Sequence, residues 1–207
     1  MKYDFDKQVN RRGTGSLKWD VPENELPMWV ADMDFETVPQ VKEALAARVA
    51  QGIYGYSILP DEWSRSYVDW WKKRHGLDLD PEKLIFVTGI VPAISSAVRK
   101  LTTPAENVLV QTPTYNIFFN SIYNNGRNIV ENKLLYDGER YRVDWGKLEE
   151  QLSDPQTTLM ILCNPHNPIG KIWDKETLTR VGELCSKYDV TVLSDEIHCD
   201  LTAPGRE

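Results

Sequence analysis

Four short stretches combine residue types that can do chemistry. Asn164-Pro-His-Asn-Pro-Ile-Gly170 places the Asn167 side-chain amide between two prolines, which hold its direction nearly fixed. Asp195 follows the apolar run Val190 to Ser194 directly. A carboxylate at the end of such a run is costly to leave unpaired, so it faces a cation or strong donor, or else serves as a salt bridge or helix cap. Gly89-Ile90-Val91-Pro92 offers a glycine turn, two free backbone N–H groups and a proline in a first helical turn, a weak but coherent anion site. Thr112-Pro-Thr-Tyr115 brings a flat ring that either covers a ligand or packs in the core.

The elements that must position these groups alternate. Leu84 to Thr88, Asn107 to Gln111, Thr157 to Cys163 and Val190 to Ser194 read as strands. Between them, Pro92 to Leu101, Tyr115 to Asn124, Asp144 to Leu152 and a helix capped by Asp174, with Leu178, Val181, Leu184 and Cys185 inward, read as helices. Asn128 to Tyr136 and Arg140 to Val143 flank the hairpin signal Asp137-Gly138. This order predicts an α/β fold, a mainly parallel sheet with helices on both faces, and ligand chemistry at the strands' carboxyl ends.

Upstream, Thr37 and Pro39 open a helix with Val38, Val41, Leu45 and Val49 on one face. Asp61 is the expected N-cap of a second helix carrying Trp63, Tyr67, Trp70, Trp71 and Arg74, an aromatic face better read as packing than as a ligand box. The acids within Leu26 to Phe35 need partners, which places that run in a polar cleft or at a subunit contact.

The 207 residues carry 41% hydrophobic and 27% charged residues and a net charge of -7 from 24 basic and 31 acidic side chains. The signs are interspersed, with no basic stripe to track phosphates, so nucleic acid is excluded as the expected partner. No stretch reaches the roughly 20 apolar residues of a membrane span, and the start has no signal-peptide core, so the expected location is cytoplasmic. Cys163, Cys185 and Cys199 are too few and wrongly spaced for a disulfide framework or zinc ribbon and are expected to be buried, reduced thiols. Together with His166, Asp195 and His198 they match no recognised metal spacing, so no metal is expected.

A phosphate cradle, a stacking ring, an amide donor and a buried carboxylate fit a flat, phosphorylated, cationic heterocycle, of which pyridoxal 5'-phosphate is the obvious example. Asp195 is then the partner of the pyridine nitrogen, Asn167 the donor to the ring phenolate, and Tyr115 the stacking ring.

The chain resembles the fold-type I pyridoxal-phosphate enzymes of aminotransferase class I and II, more narrowly the MalY/PatB group of cystathionine β-lyases and C-S lyases. The marks are Pro27 to Phe35, Tyr54-Gly-Tyr56, Thr88 to Pro92, Thr112 to Tyr115, Asn164 to Gly170 and Ser194 to Asp200. The resemblance implies that the amides of Ile90 and Val91 hold the phosphate, that Asn167, Asp195 and Tyr115 engage the ring, and that His198 of the last motif joins the set. It also implies a homodimer in which Tyr56 reaches the neighbouring subunit's phosphate. Val91 stands where many relatives place a hydroxyl. The resemblance divides the chain into residues 1–45, joining a small domain, and 46–207, an incomplete large domain. The expected reaction is α,β-elimination of cystathionine or cysteine S-conjugates to pyruvate, ammonia and a thiol. The alternatives are an aminotransferase on the same scaffold or a non-catalytic, truncated binding protein. The family's Schiff-base lysine lies beyond the ring-binding aspartate, whereas the last lysine here is Lys187, so no catalytic residue is assigned and the stretch reads as an N-terminal half. Lys171 is expected to be a solvated loop residue.

Overall fold

A computed structural model describes residues 3–205. The chain divides after Asp78 into two compact units.

The first unit holds α1 (Pro39–Ala50) and α2 (Asp61–His75). Pro39 opens α1 at a position that has no use for its missing donor. The face Val38, Val41, Leu45 and Val49 is exposed throughout. In α2 the N-cap is Pro60, and Asp61 is the first helical residue, where its charge still complements the helix dipole; Gly76 ends the helix in the left-handed region at φ 65°. Trp63, Tyr67, Trp71 and His75 recur every four residues and form a ladder of ring contacts along α2, with centroids 6.2, 6.0 and 4.7 Å apart. The acids of the Leu26 to Phe35 run have their partners. Asp34 accepts from Lys18 Nζ, Trp19 Nε1 and Arg11 Nη1, each at 2.7 Å, and Arg11 also pairs with Asp32 at 2.6 Å. Those donors hold the Asp34 carboxyl well below the usual carboxylate range.

The second unit is built on a four-stranded parallel sheet. Its elements are α3 (Ile90–Leu101), β1 (Asn107–Thr112), α4 (Asn116–Tyr123), β2 (Asn128–Lys133), β3 (Leu135–Tyr136), β4 (Tyr141–Arg142), α5 (Trp145–Leu152), β5 (Thr157–Cys163), α6 (Lys175–Lys187) and β6 (Thr191–Asp195). The sheet order is β2-β1-β5-β6, all neighbours parallel, and β3-β4 form the antiparallel hairpin around Asp137-Gly138. Successive residues of each strand point to opposite faces, and that period of two makes two cores. Leu109, Met160 and Leu162 meet Leu148 and Leu152 of α5 and Val181 and Cys185 of α6. Val108, Val110, Leu159, Ile161 and Cys163 meet Ile94 and Val98 of α3 and Phe118 and Ile122 of α4. Asp144 and Asp174 cap α5 and α6 by accepting from Lys147 N at 3.0 Å and Thr177 N at 2.7 Å.

Three expectations change. Leu84 to Thr88 forms no strand among the described residues, and Ile85 is 83% exposed. An apolar run becomes a strand only where a neighbouring strand takes its hydrogen bonds, and no described strand pairs with this one. Val190 to Ser194 is not wholly buried. Among the described residues β6 pairs only with β5, and Thr191, Val192 and Ser194 are exposed. Cys163 and Cys185 are buried thiols, and burial pushes Cys185 up to about 11, but Cys199 is only partly covered.

Candidate active site

The carboxyl edge of the sheet gathers the four stretches by topology. α3 passes into β1 through the short link 102–106 and packs on the sheet through Ile94 and Val98. Its C-terminus therefore lies at the strands' amino edge, and its N-terminus, with Ile90 and Val91, at the carboxyl edge. The first N–H groups of a helix have no intrahelical acceptor, and those of Ile90 and Val91 are of this kind; both residues are about 40% exposed. β1 leads through the cis Thr112-Pro113 bond to Tyr115, the N-cap of α4, whose ring meets Phe118 edge-on at 5.8 Å and which is 38% exposed.

β5 ends in a closed turn. The N–H of His166 donates to Lys171 O and the N–H of Gly170 to His166 O, both at 2.7 Å, with Gly170 at φ 66°. Within it, Asn167 N–H donates to Cys163 Sγ at 3.4 Å, while its side-chain amide makes no hydrogen bond to the described residues. Cys163 Sγ–H in turn donates to Pro165 O at 3.5 Å. Burial and the Asp195 carboxylate push this thiol up, the larger part coming from burial. Asn167, Pro168, His166 and Trp173 line a cleft of about 770 Å³ together with His198.

β6 ends at Asp195, paired in register with Cys163. The carboxylate is 8% exposed and receives one backbone N–H, from Ile197 at 3.2 Å; no cation among the described residues faces it. Tyr56 belongs to the other unit and is fully exposed.

Two residues differ from their sequence reading. Lys171 is not a solvated loop residue: Nζ donates to Tyr141 O at 2.8 Å and lies 4.9 Å from the Trp173 ring centroid. His166, weighed from sequence only as a metal ligand, is 1% exposed and joins two loops, with Nε2 2.9 Å from Pro113 O. The signal that could have found it is its place between two prolines in a turn that must be anchored to something.

A family model for aminotransferase class I and II matches residues 24–205. The chain belongs to that family. It is 46% identical to cystathionine beta-lyase PatB of Bacillus subtilis over 98% of this chain and 54% of that protein. Protein MalY of Escherichia coli is 34% identical over 96% of this chain and 53% of MalY. Among solved structures, cystalysin from Treponema denticola, which contains pyridoxal 5'-phosphate, superposes with a TM-score of 0.92 at 36% identity, covering all of this chain and 55% of that one. A PLP-bound C-S lyase from Staphylococcus hominis gives 0.90 at 32% identity, covering 100% of this chain and 54% of that one. The chain spans about half the length of the relatives it matches.

Proposed function

We propose that this chain forms the cofactor cradle of a pyridoxal-phosphate-dependent carbon–sulfur β-lyase acting on cystathionine or other cysteine S-conjugates. The observation that carries the reading is Asp195: a buried carboxylate with one backbone donor and no cation partner among the described residues. A buried acid in that state suits a protonated ring nitrogen, because the pair removes an otherwise uncompensated charge. The unused amide of Asn167 and the N-terminal N–H groups of α3 suit a phenolate oxygen and a phosphate in the same way.

When bound, pyridoxal phosphate supplies an electron-withdrawing ring that stabilises negative charge at the amino acid Cα and so allows a β-thiolate to leave. The chain's own residues hold and orient it. Asp195 keeps the proton on the pyridine nitrogen, Asn167 donates to the phenolate oxygen, Ile90 and Val91 donate to the phosphate, and Tyr115 covers one ring face and keeps water from it. His198 lines the cleft that Asn167 also lines. In a cytoplasmic homodimer, Tyr56 extends to the phosphate held by the neighbouring copy, and residues 1–45 join the small domain. Lys171 is engaged with Tyr141 and Trp173, so proton transfer at Cα is assigned to a lysine outside these 207 residues.

The test is product analysis on the polypeptide that carries this stretch at its relatives' length. Release of pyruvate and thiol from cystathionine without added keto acid is expected; a strict keto-acid requirement overturns the lyase in favour of a transaminase.

A further inference from the structure

His166 is the most deeply buried titratable group at the carboxyl edge, and nothing in the proposed chemistry uses it. Both of its backbone groups close the turn that carries Asn167. Its side chain leaves that turn and meets Pro113 O at 2.9 Å, two residues before Tyr115 and 53 positions away in the chain. Trp173 walls the imidazole edge-on at 5.7 Å, and the Trp173 N–H donates to Asn164 Oδ1 at 3.1 Å, so the wall is itself tied to the start of the turn.

We propose that His166 is a positioning residue that sets the Asn167 amide and the Tyr115 ring relative to each other, acting as a neutral imidazole protonated at Nε2. The proposal rests on the cofactor reading above. The tautomer follows from the partner. A proline carbonyl can only accept, so Nε2 must carry the hydrogen. Nδ1 is buried with no protein partner, and a second proton there would leave a buried cation facing no acceptor. A neutral ring with one committed donor is therefore the only form that satisfies the site, and its single hydrogen bond links the β1 and β5 loops.

The experiment has two arms on the 207-residue chain. In the absence of cofactor, nitrogen NMR is expected to show His166 as the Nε2–H tautomer. His166→Phe is expected to shift the amides of Thr114, Tyr115 and Asn167 together, and His166→Gln, whose side-chain amide reaches the same carbonyl, to restore them. An Nδ1–H tautomer, or wild-type Thr114 and Tyr115 shifts in His166→Phe, overturns the proposal. If His166→Phe does not fold, the tautomer of the wild type and the spectrum of His166→Gln decide alone. In the second arm, absorbance titration with pyridoxal phosphate is expected to show about fivefold weaker binding for His166→Phe and recovery to within about twofold in His166→Gln. Equal weakening in both variants overturns the positioning role. A wild-type chain that binds no pyridoxal phosphate contradicts the cofactor reading instead, and the first arm still decides the case of His166.

Discussion

The N–H of Asn164 donates to the carbonyl of Asp195 at 3.0 Å, one residue beyond the last register pair of β5 and β6. The Asn-Pro turn and the buried carboxylate are thus fastened through the main chain, and substitution of either side chain leaves that link in place.

Asp195→Asn is therefore expected to keep the fold and lose the ligand. Hydrogen bonds to charged groups contribute about 1.5–3 kcal/mol, so affinity for pyridoxal phosphate should fall roughly ten- to a hundredfold. Absorbance titration measures it, and unchanged affinity would remove the basis of the proposed function.

The buried neutral His166 also sets a pH response. Burial holds its pKa below the ordinary 6.5, so between 6.5 and that lower value the unfolded chain binds a proton that the folded chain does not. Stability is complete above pH 6.5 and declines as pH falls below it, with a slope of at most about 1.4 kcal/mol per pH unit. Carboxylates such as Glu106, held low by Thr103 and Thr158, respond only below about 4.5. Thermal melts from pH 5 to 7.5 should show the decline in the wild type and a flatter curve in His166→Gln.

Gly170→Ala tests the turn. A Cβ at this position meets no atom within 4 Å, so the expected penalty, about 1–2 kcal/mol, comes from the positive φ alone. A melting-temperature loss with weaker pyridoxal-phosphate binding is expected, because the same turn carries Asn167.

Leu109→Ala tests the core. Leu109 is fully buried in β1 between β2 and β5, and truncation should cost about 2–5 kcal/mol by denaturant titration. Asp174→Ala, which removes only the cap of α6, should cost about 1 kcal/mol.

Elements whose signals are local were legible in the sequence. Asp144 and Asp174 announce α5 and α6 because a side chain three residues from its target needs no tertiary context. The alternation of Leu109 against Val108 and Val110 is visible because strand periodicity separates two faces. What escaped was long-range. Leu84 to Thr88 has strand composition but joins no sheet among the described residues, and β6 has a buried strand's composition but lies at an edge. The Asn167 turn was readable from its prolines, whereas the bond from His166 to Pro113 spans 53 positions and leaves no pattern in either segment.

The two margins of the sheet are not alike. At β2, Gln151 of α5 donates to Glu131 O at 2.9 Å and accepts from Asn132 Nδ2 at 2.9 Å, so a helix side chain already occupies hydrogen-bonding groups there. At β6 no described residue does the same on the side away from β5. The two edges therefore receive a further strand differently: beside β2 it meets a helix side chain already on Glu131 O, and beside β6 it meets the strand that ends in the Asp195 carboxylate.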